Sequence, residues 1–311
     1  MRKSTITTSS TTRTTASHNR PMYPLEHYAP THRQLGMAGE IIGAMGQRLR
    51  EVMFRGLTNA AATLTPARRM VGRPVSPAEV LANRERAPIV LVPGFGAPAK
   101  SWDVWQRSLQ RDGFTVERFM PSSAFLDAYQ GGAELKAFVQ EVARRHGGRL
   151  PDVVAHSKGG LDARVAVQML NMRPLINRLI TVNTPHAGLR WGRLGERAGV
   201  LVPPAGRTLL KGTALITKLG EGGEAKVMGK ALATVRTSYW DGVVWPPSSA
   251  RLAGAVNVAM KDGHIGPLSR INHMASVLNQ DEPLERVRTL LSQAGNTFEP
   301  PGPAVGSYAA G

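Results

Sequence analysis

VVAHSKGGLDAR, residues 153–164, sets an apolar run directly against a serine that is followed by a lysine and two glycines. Val153 and Val154 favour extended backbone. Beyond the serine, Leu161, Val165 and Met169 fall on one face of a helix. Ser157 therefore stands on a turn that runs straight from strand to helix. Such a turn strains the serine backbone, and small residues two positions before and two after it keep strand and helix from colliding. Ala155 and Gly159 hold those places, and Gly160 adds a second glycine. The pattern is G-x-S-x-G with alanine for its first glycine, an arrangement that presents a serine hydroxyl as a nucleophile. The plainer alternative is a loop hydroxyl without chemistry, and the segments on either side decide between them.

Upstream, PIVLVPGFG (88–96) is a continuous apolar run ended by Pro93 and Gly94, as expected of a strand buried on both faces. WDVWQRSLQRDG reads as helix, FTVERF as strand, GGAELKAFVQEVARRHGG as helix and DVVAHS as strand. Downstream, LITVNT, LATVRTSY and GAVNVAM read as further strands, and HMASVLNQDEPLERVRTLLSQ as a closing helix. Strands alternating with helices imply right-handed crossovers and a mostly parallel sheet covered on both sides. The expected fold class is α/β, with one domain over 87–295.

Flanking segments read differently. Residues 1–34 are rich in Ser and Thr with dispersed basic residues, the composition of a disordered tail. Within 35–86, Ala38, Ile41, Ile42, Met45, Leu49, Val52 and Met53 recur at helical spacing, and the remainder reads as a polar, proline-bearing linker. Residues 296–311 read as a flexible tail. Between 187 and 231 the alternation breaks, which marks an insertion.

The 311-residue chain contains no cysteine, which excludes disulfides, thiolate metal sites and a cysteine nucleophile. Its 39 Lys and Arg against 22 Asp and Glu give a formal charge of +17, a field that attracts anionic surfaces. These cations form no compact basic block, and aromatic residues make up only 5%, so nucleic acid is not the expected partner. No run approaches the roughly 18 apolar residues of a membrane span, and the N-terminus lacks the apolar centre of a standard secretory signal. The expected location is the cytoplasm or a membrane surface, with secretion left open.

A serine hydroxyl needs a base to take its proton and a third group to orient that base. In a parallel sheet these must come from loops beyond the carboxyl ends of the strands. Three histidines follow Ser157: His186, His264 and His273. His264, in MKDGHIGPL after the final strand, is the chosen base. His273 lies within a helical pattern and reads as a surface or packing residue; His186, in NTPHAG, reads as pocket wall. Asp241, after LATVRTSY, is the chosen acid, since Asp262 sits too near His264 in the chain to turn back onto its ring. The oxyanion donors are expected to be the backbone amides of Phe95, in PGFG, and Lys158.

Taken in order, PIVLVPGFG, VVAHSKGGLDAR, LITVNTPHAG, DGVVWP and GHIGPL resemble bacterial lipases and esterases of the α/β-hydrolase fold. The small Bacillus type is most similar around Ser157, Asp241 and His264; GGLDAR and TPHAG are also similar to the Pseudomonas and Burkholderia type. The resemblance spans about 88–294. It implies a serine carboxylic-ester hydrolase working through a Ser157, His264, Asp241 triad and an acyl-enzyme, with an acyl ester or lipid as substrate and no cofactor or metal. It also implies that 187–231 is a lid or cap. Residues 187–236 hold nine basic side chains against three acidic, suited to an anionic lipid interface. Two departures stand out: Pro93 replaces the usual histidine before the oxyanion-loop glycine, and Lys158 replaces an uncharged residue. Its side chain is expected to point to solvent. An acyltransferase on the same triad, or a silent binding protein of the same fold, are the alternatives, and the presence of all three triad types counts against silence.

Overall fold

Six strands pair side by side into one sheet: β1 (Ile89–Val92), β2 (Val116–Arg118), β3 (Asp152–His156), β4 (Leu179–Val182), β5 (Leu232–Arg236) and β6 (Val256–Ala259). This computed structural model describes residues 74–97, 99–190, 204–221, 228–238, 241, 243–260, 273 and 281–300. The strand order is β2-β1-β3-β4-β5-β6 and every pairing is parallel. In the centre, Val92 pairs with Ala155 and His156 with Val182, so β1, β3 and β4 end at one rim.

Side-chain alternation divides the core in two. On one face Ile89, Leu91, Val154, Ile180 and Val235 pack against α2 (Asp103–Arg111) and α7 (Asp281–Leu291) through Trp105, Leu109, Leu284 and Val287. On the other, Val90, Val92, Val153, Ala155 and Leu179 meet α3 (Ala128–Arg145) and α4 (Lys158–Met169) through Leu135, Val139, Ala163 and Ala166. Strands β1, β3 and β4 are buried from end to end, and β1, IVLV, correspondingly reads as an unbroken apolar run.

Three expectations need correcting. Residues 77–84, expected as linker, form α1 (Pro77–Arg84). Ser76 caps it: its Oγ accepts from the Glu79 amide at 3.3 Å while its own amide donates to Glu79 Oε2 at 2.8 Å. That reciprocal pair, with Pro77 in the first turn, was present in the sequence as S-P-x-E. Asn83 Nδ2 then donates to the Asp112 carbonyl at 2.8 Å, docking α1 on the domain. Second, the tail expected from 296 begins too early: Phe298 is fully buried, donates its amide to the Lys230 carbonyl at 2.7 Å and lies under the Arg178 guanidinium.

Third, part of the insertion is regular. It contains α5 (Pro204–Arg207) and α6 (Ala214–Glu221), and Leu215, Ile216 and Leu219 join Leu161 and Val165 of α4 in a third apolar cluster. Residues 1–73, including the expected helix over 36–54, lie outside the described residues, as do 191–203, 222–227 and 301–311.

Candidate active site

Ser157 occupies the turn between β3 and α4 with φ 54° and ψ −126°, a conformation that non-glycine residues rarely adopt. The pairing of β3 with its neighbours enforces it, and the Ser157 amide donates to the Val182 carbonyl at 2.9 Å. Gly159 is required here, because a Cβ would fall 2.4 Å from the Pro93 carbonyl oxygen. The loop after β1 is equally close: a Cβ on Gly94 would stand 3.0 Å from Ser157 Cβ. Phe95 follows directly, its ring set edge-on to Phe125 at 5.2 Å. Phe95 and Lys158 thus lie on the two chain segments that flank the serine.

Asp241 follows β5 and is fully buried. Its Oδ1 accepts the amides of Val243 and Val244 at 3.1 and 2.8 Å. Its Oδ2 accepts Asn183 Nδ2 at 2.8 Å and His273 Nδ1 at 2.5 Å. Burial alone would raise this carboxyl; the His273 charge and the donated hydrogen bonds outweigh it and hold the pKa below the ordinary aspartate value. Asn183 is itself fixed, at φ 43°, by accepting the Thr237 amide on Oδ1 at 2.8 Å.

The imidazole on Asp241 is therefore His273, which sequence reading set aside as a surface or packing residue. His264, the base chosen from sequence, and Asp262 lie outside the described residues. His273 is buried, and its ring centroid lies 4.6 Å from that of His156, the residue immediately before Ser157. An ionised carboxylate only accepts, so Nδ1 carries the hydrogen of this pair and neutral His273 keeps its lone pair on Nε2. His156 is wholly enclosed, between the rings of Trp102 and His273. Burial, and then the His273 charge, push its pKa well below the usual histidine value.

Lys158 corrects another expectation. Instead of reaching solvent, its side chain turns inward, and Nζ lies 2.7 Å from both carboxylate oxygens of Asp162, one helical turn along α4. Both side chains are more than nine-tenths buried. Burial pushes Asp162 up to about 6 despite the opposing pull of Lys158. The signal was available in sequence as Lys and Asp four residues apart, one helical turn along α4.

His186, read from sequence as pocket wall, is part of a buried bridge. Arg164 Nη1 donates to the His186 carbonyl at 3.0 Å and faces its Nδ1 at 3.2 Å, while Nη2 donates to the Leu219 carbonyl of α6 at 2.9 Å. Since arginine only donates, His186 Nδ1 accepts and Nε2–H faces Thr181 Oγ1 at 3.0 Å. Burial followed by the Arg164 charge lowers the His186 pKa well below normal. Among the tryptophans, Trp102 and Trp105 are core residues packed edge to face at 5.2 Å, whereas Trp245 is half exposed beyond Asp241. Trp191 and Trp240 lie outside the described residues.

No family model and no curated protein sequence matches the chain. Solved structures do. The mature form of Bacillus licheniformis lipase BlEst2 is similar at TM-score 0.53 and 20% identity, covering 72% of this chain and 96% of that one. Aspergillus fumigatus lipase B is similar at TM-score 0.56 and 18% identity, over 72% of this chain and 56% of that one. The architecture shared with these two lipases is the α/β-hydrolase fold.

Proposed function

We propose that the protein is a serine carboxylic-ester hydrolase of lipase or esterase type, with Ser157 as nucleophile, His273 in place of His264 as base, and Asp241 as the acid that orients it. One observation carries this reading: a buried aspartate and imidazole, 2.5 Å apart, stand at the same rim of the sheet as a serine held in strained backbone. Structural neighbours that are lipases support it at the level of fold.

In this reading Nε2 of His273 takes the Ser157 proton as Oγ attacks the ester carbonyl. Asp241 fixes the ring and stabilises the imidazolium that forms. The amides of Phe95 and Lys158 receive the developing oxyanion. His273 then protonates the leaving alkoxide, leaving an acyl-serine. Water, deprotonated by His273, attacks the acyl-serine and releases the acid.

An apolar acyl group suits the rim. Trp245, beyond Asp241, is 50% exposed and offers an apolar surface to such a group. A lipid surface as partner, and the 187–231 insertion as its lid, extend the same reading. Among the described residues no helix is long and apolar enough to cross a membrane.

The test is labelling by a fluorophosphonate, together with turnover of p-nitrophenyl esters of graded chain length. Labelling at Ser157 with turnover of esters supports the proposal. Neither labelling nor turnover in the folded full-length protein would sink it.

A further inference from the structure

The proposed chemistry asks only for the backbone amide of Lys158, yet the fold buries its whole side chain. Its position is electrostatically poor. An ammonium in the first turn of α4 faces the positive end of the helix dipole, and a cation N-terminal to an anion at i,i+4 is the weaker orientation. Desolvating both charges costs more again. Local helix stability therefore does not account for the pair.

Where the pair leads is more informative. Besides Asp162, Lys158 Nζ reaches the carbonyl of Asp127 at 3.4 Å. Asp127 caps α3, its carboxylate accepting the amides of Tyr129 and Gln130 at 2.8 and 2.9 Å. It also closes the short segment 124–127. At the other end of that segment the Ala124 carbonyl accepts the Gly96 amide at 2.9 Å, and Phe125 abuts the Phe95 ring. One four-residue strut thus grips the loop that bears the Phe95 amide and, through Nζ, the helical turn that bears the Lys158 amide. α3 is shaped to admit the carboxylate, since a Cβ on Gly131 would fall 2.6 Å from Asp162 Oδ2.

We propose that Lys158 and Asp162 act as a positioning pair: their buried contact, braced on the segment 124–127, sets the separation of the two amides that receive the oxyanion. The inference rests on the hydrolase reading above and adds to it a role for a side chain that never touches substrate.

The test compares an ester with its thionoester. A thiocarbonyl sulfur is a weak hydrogen-bond acceptor, so a thionoester gains little from well-placed amides, and damage specific to them slows the ester selectively. The neutral double variant Lys158→Met with Asp162→Asn removes both charges together. Its ester kcat is expected to fall about tenfold or more with KM within about twofold, while thionoester kcat falls less than about threefold. If the double variant does not fold, Lys158→Met alone, assayed near pH 5 where Asp162 can hold a proton, is read in the same way. Parallel losses on both substrates, or no loss on the ester, overturn the inference and leave the hydrolase reading standing. A wild-type protein that turns over neither ester nor thionoester overturns both.

Discussion

His273 Nδ1 and Asp241 Oδ2 lie 2.5 Å apart, although 32 residues separate them in the chain and only one of the two belongs to the constellation expected from sequence. Asp241 was chosen because it follows a strand and because Asp262 sits too near His264 in the chain. His273 was not.

The two imidazoles give opposite expectations on mutation. His273→Ala should lower kcat on short esters by a factor on the order of 10⁴, whereas His264→Ala should change it by less than about tenfold. Parallel assays of the two variants decide the matter, and the reverse ranking would return the base to His264.

Replacing Ser157 separates chemistry from folding. Ser157→Ala should abolish fluorophosphonate labelling while leaving the thermal midpoint close to wild type. Ser157→Gly should be as inactive but more stable, by about 1 kcal/mol, because glycine adopts φ 54° without the cost a side chain incurs. Thermal melts of both variants check this; a destabilised glycine variant would contradict strain at the turn.

Asn183 donates to the same carboxylate oxygen as His273. Asn183→Gly keeps the backbone at φ 43° and deletes only the amide side chain. Loss of a hydrogen bond to a charged group is worth about 1.5–3 kcal/mol, so kcat/KM should fall about 10- to 100-fold. The Asp241 anion would lose one of its donors and hold the imidazole less firmly. An unchanged kcat/KM in the folded variant would contradict that role.

Acid stability should bear the signature of two enclosed imidazoles. His156 and His186 have folded-state pKa values depressed by burial. Below about pH 6.5 the unfolded chain binds protons that the folded chain excludes. Their stabilising contribution is therefore fully present above that pH and is lost as pH falls, by about 1.4 kcal/mol per pH unit for each histidine. His156→Phe removes one of them. Its urea midpoint should fall less than that of wild type between pH 6.5 and 5, and identical pH dependences would refute the assignment.

Much of the fold was readable because β1, β3 and β4 are buried from end to end and so show short stretches rich in Val, Ile and Leu between helical patterns. Ser157 was readable for a related reason: the steric demand of its turn leaves a mark in Ala155 and Gly159. His273 left none. Its surroundings carry apolar residues at helical spacing, and no local pattern reports that one side chain among them reaches a carboxylate on another loop. Lys158 misled for the opposite reason, since a lysine is ordinarily a surface residue and only its partner one turn away explains its burial. The first turn of α1 announced itself through Ser76, Pro77 and Glu79, but proline in a polar stretch reads as linker unless the reciprocal cap is noticed. Phe298 sits in a segment rich in proline and glycine, and one ring among such residues gives no period to detect.

The Asn183 clamp has a wider consequence. Asn183, the first residue after β4, bonds Thr237 and Asp241 just beyond β5, so one side chain ties together the loops that leave two neighbouring parallel strands at the same rim. Both contacts lie at the carboxyl ends of the strands, so they do not depend on the segment that enters β5 from the opposite edge. An exchange of residues within that segment that spares Asn183 therefore leaves the anchorage of the Asp241 carboxylate intact.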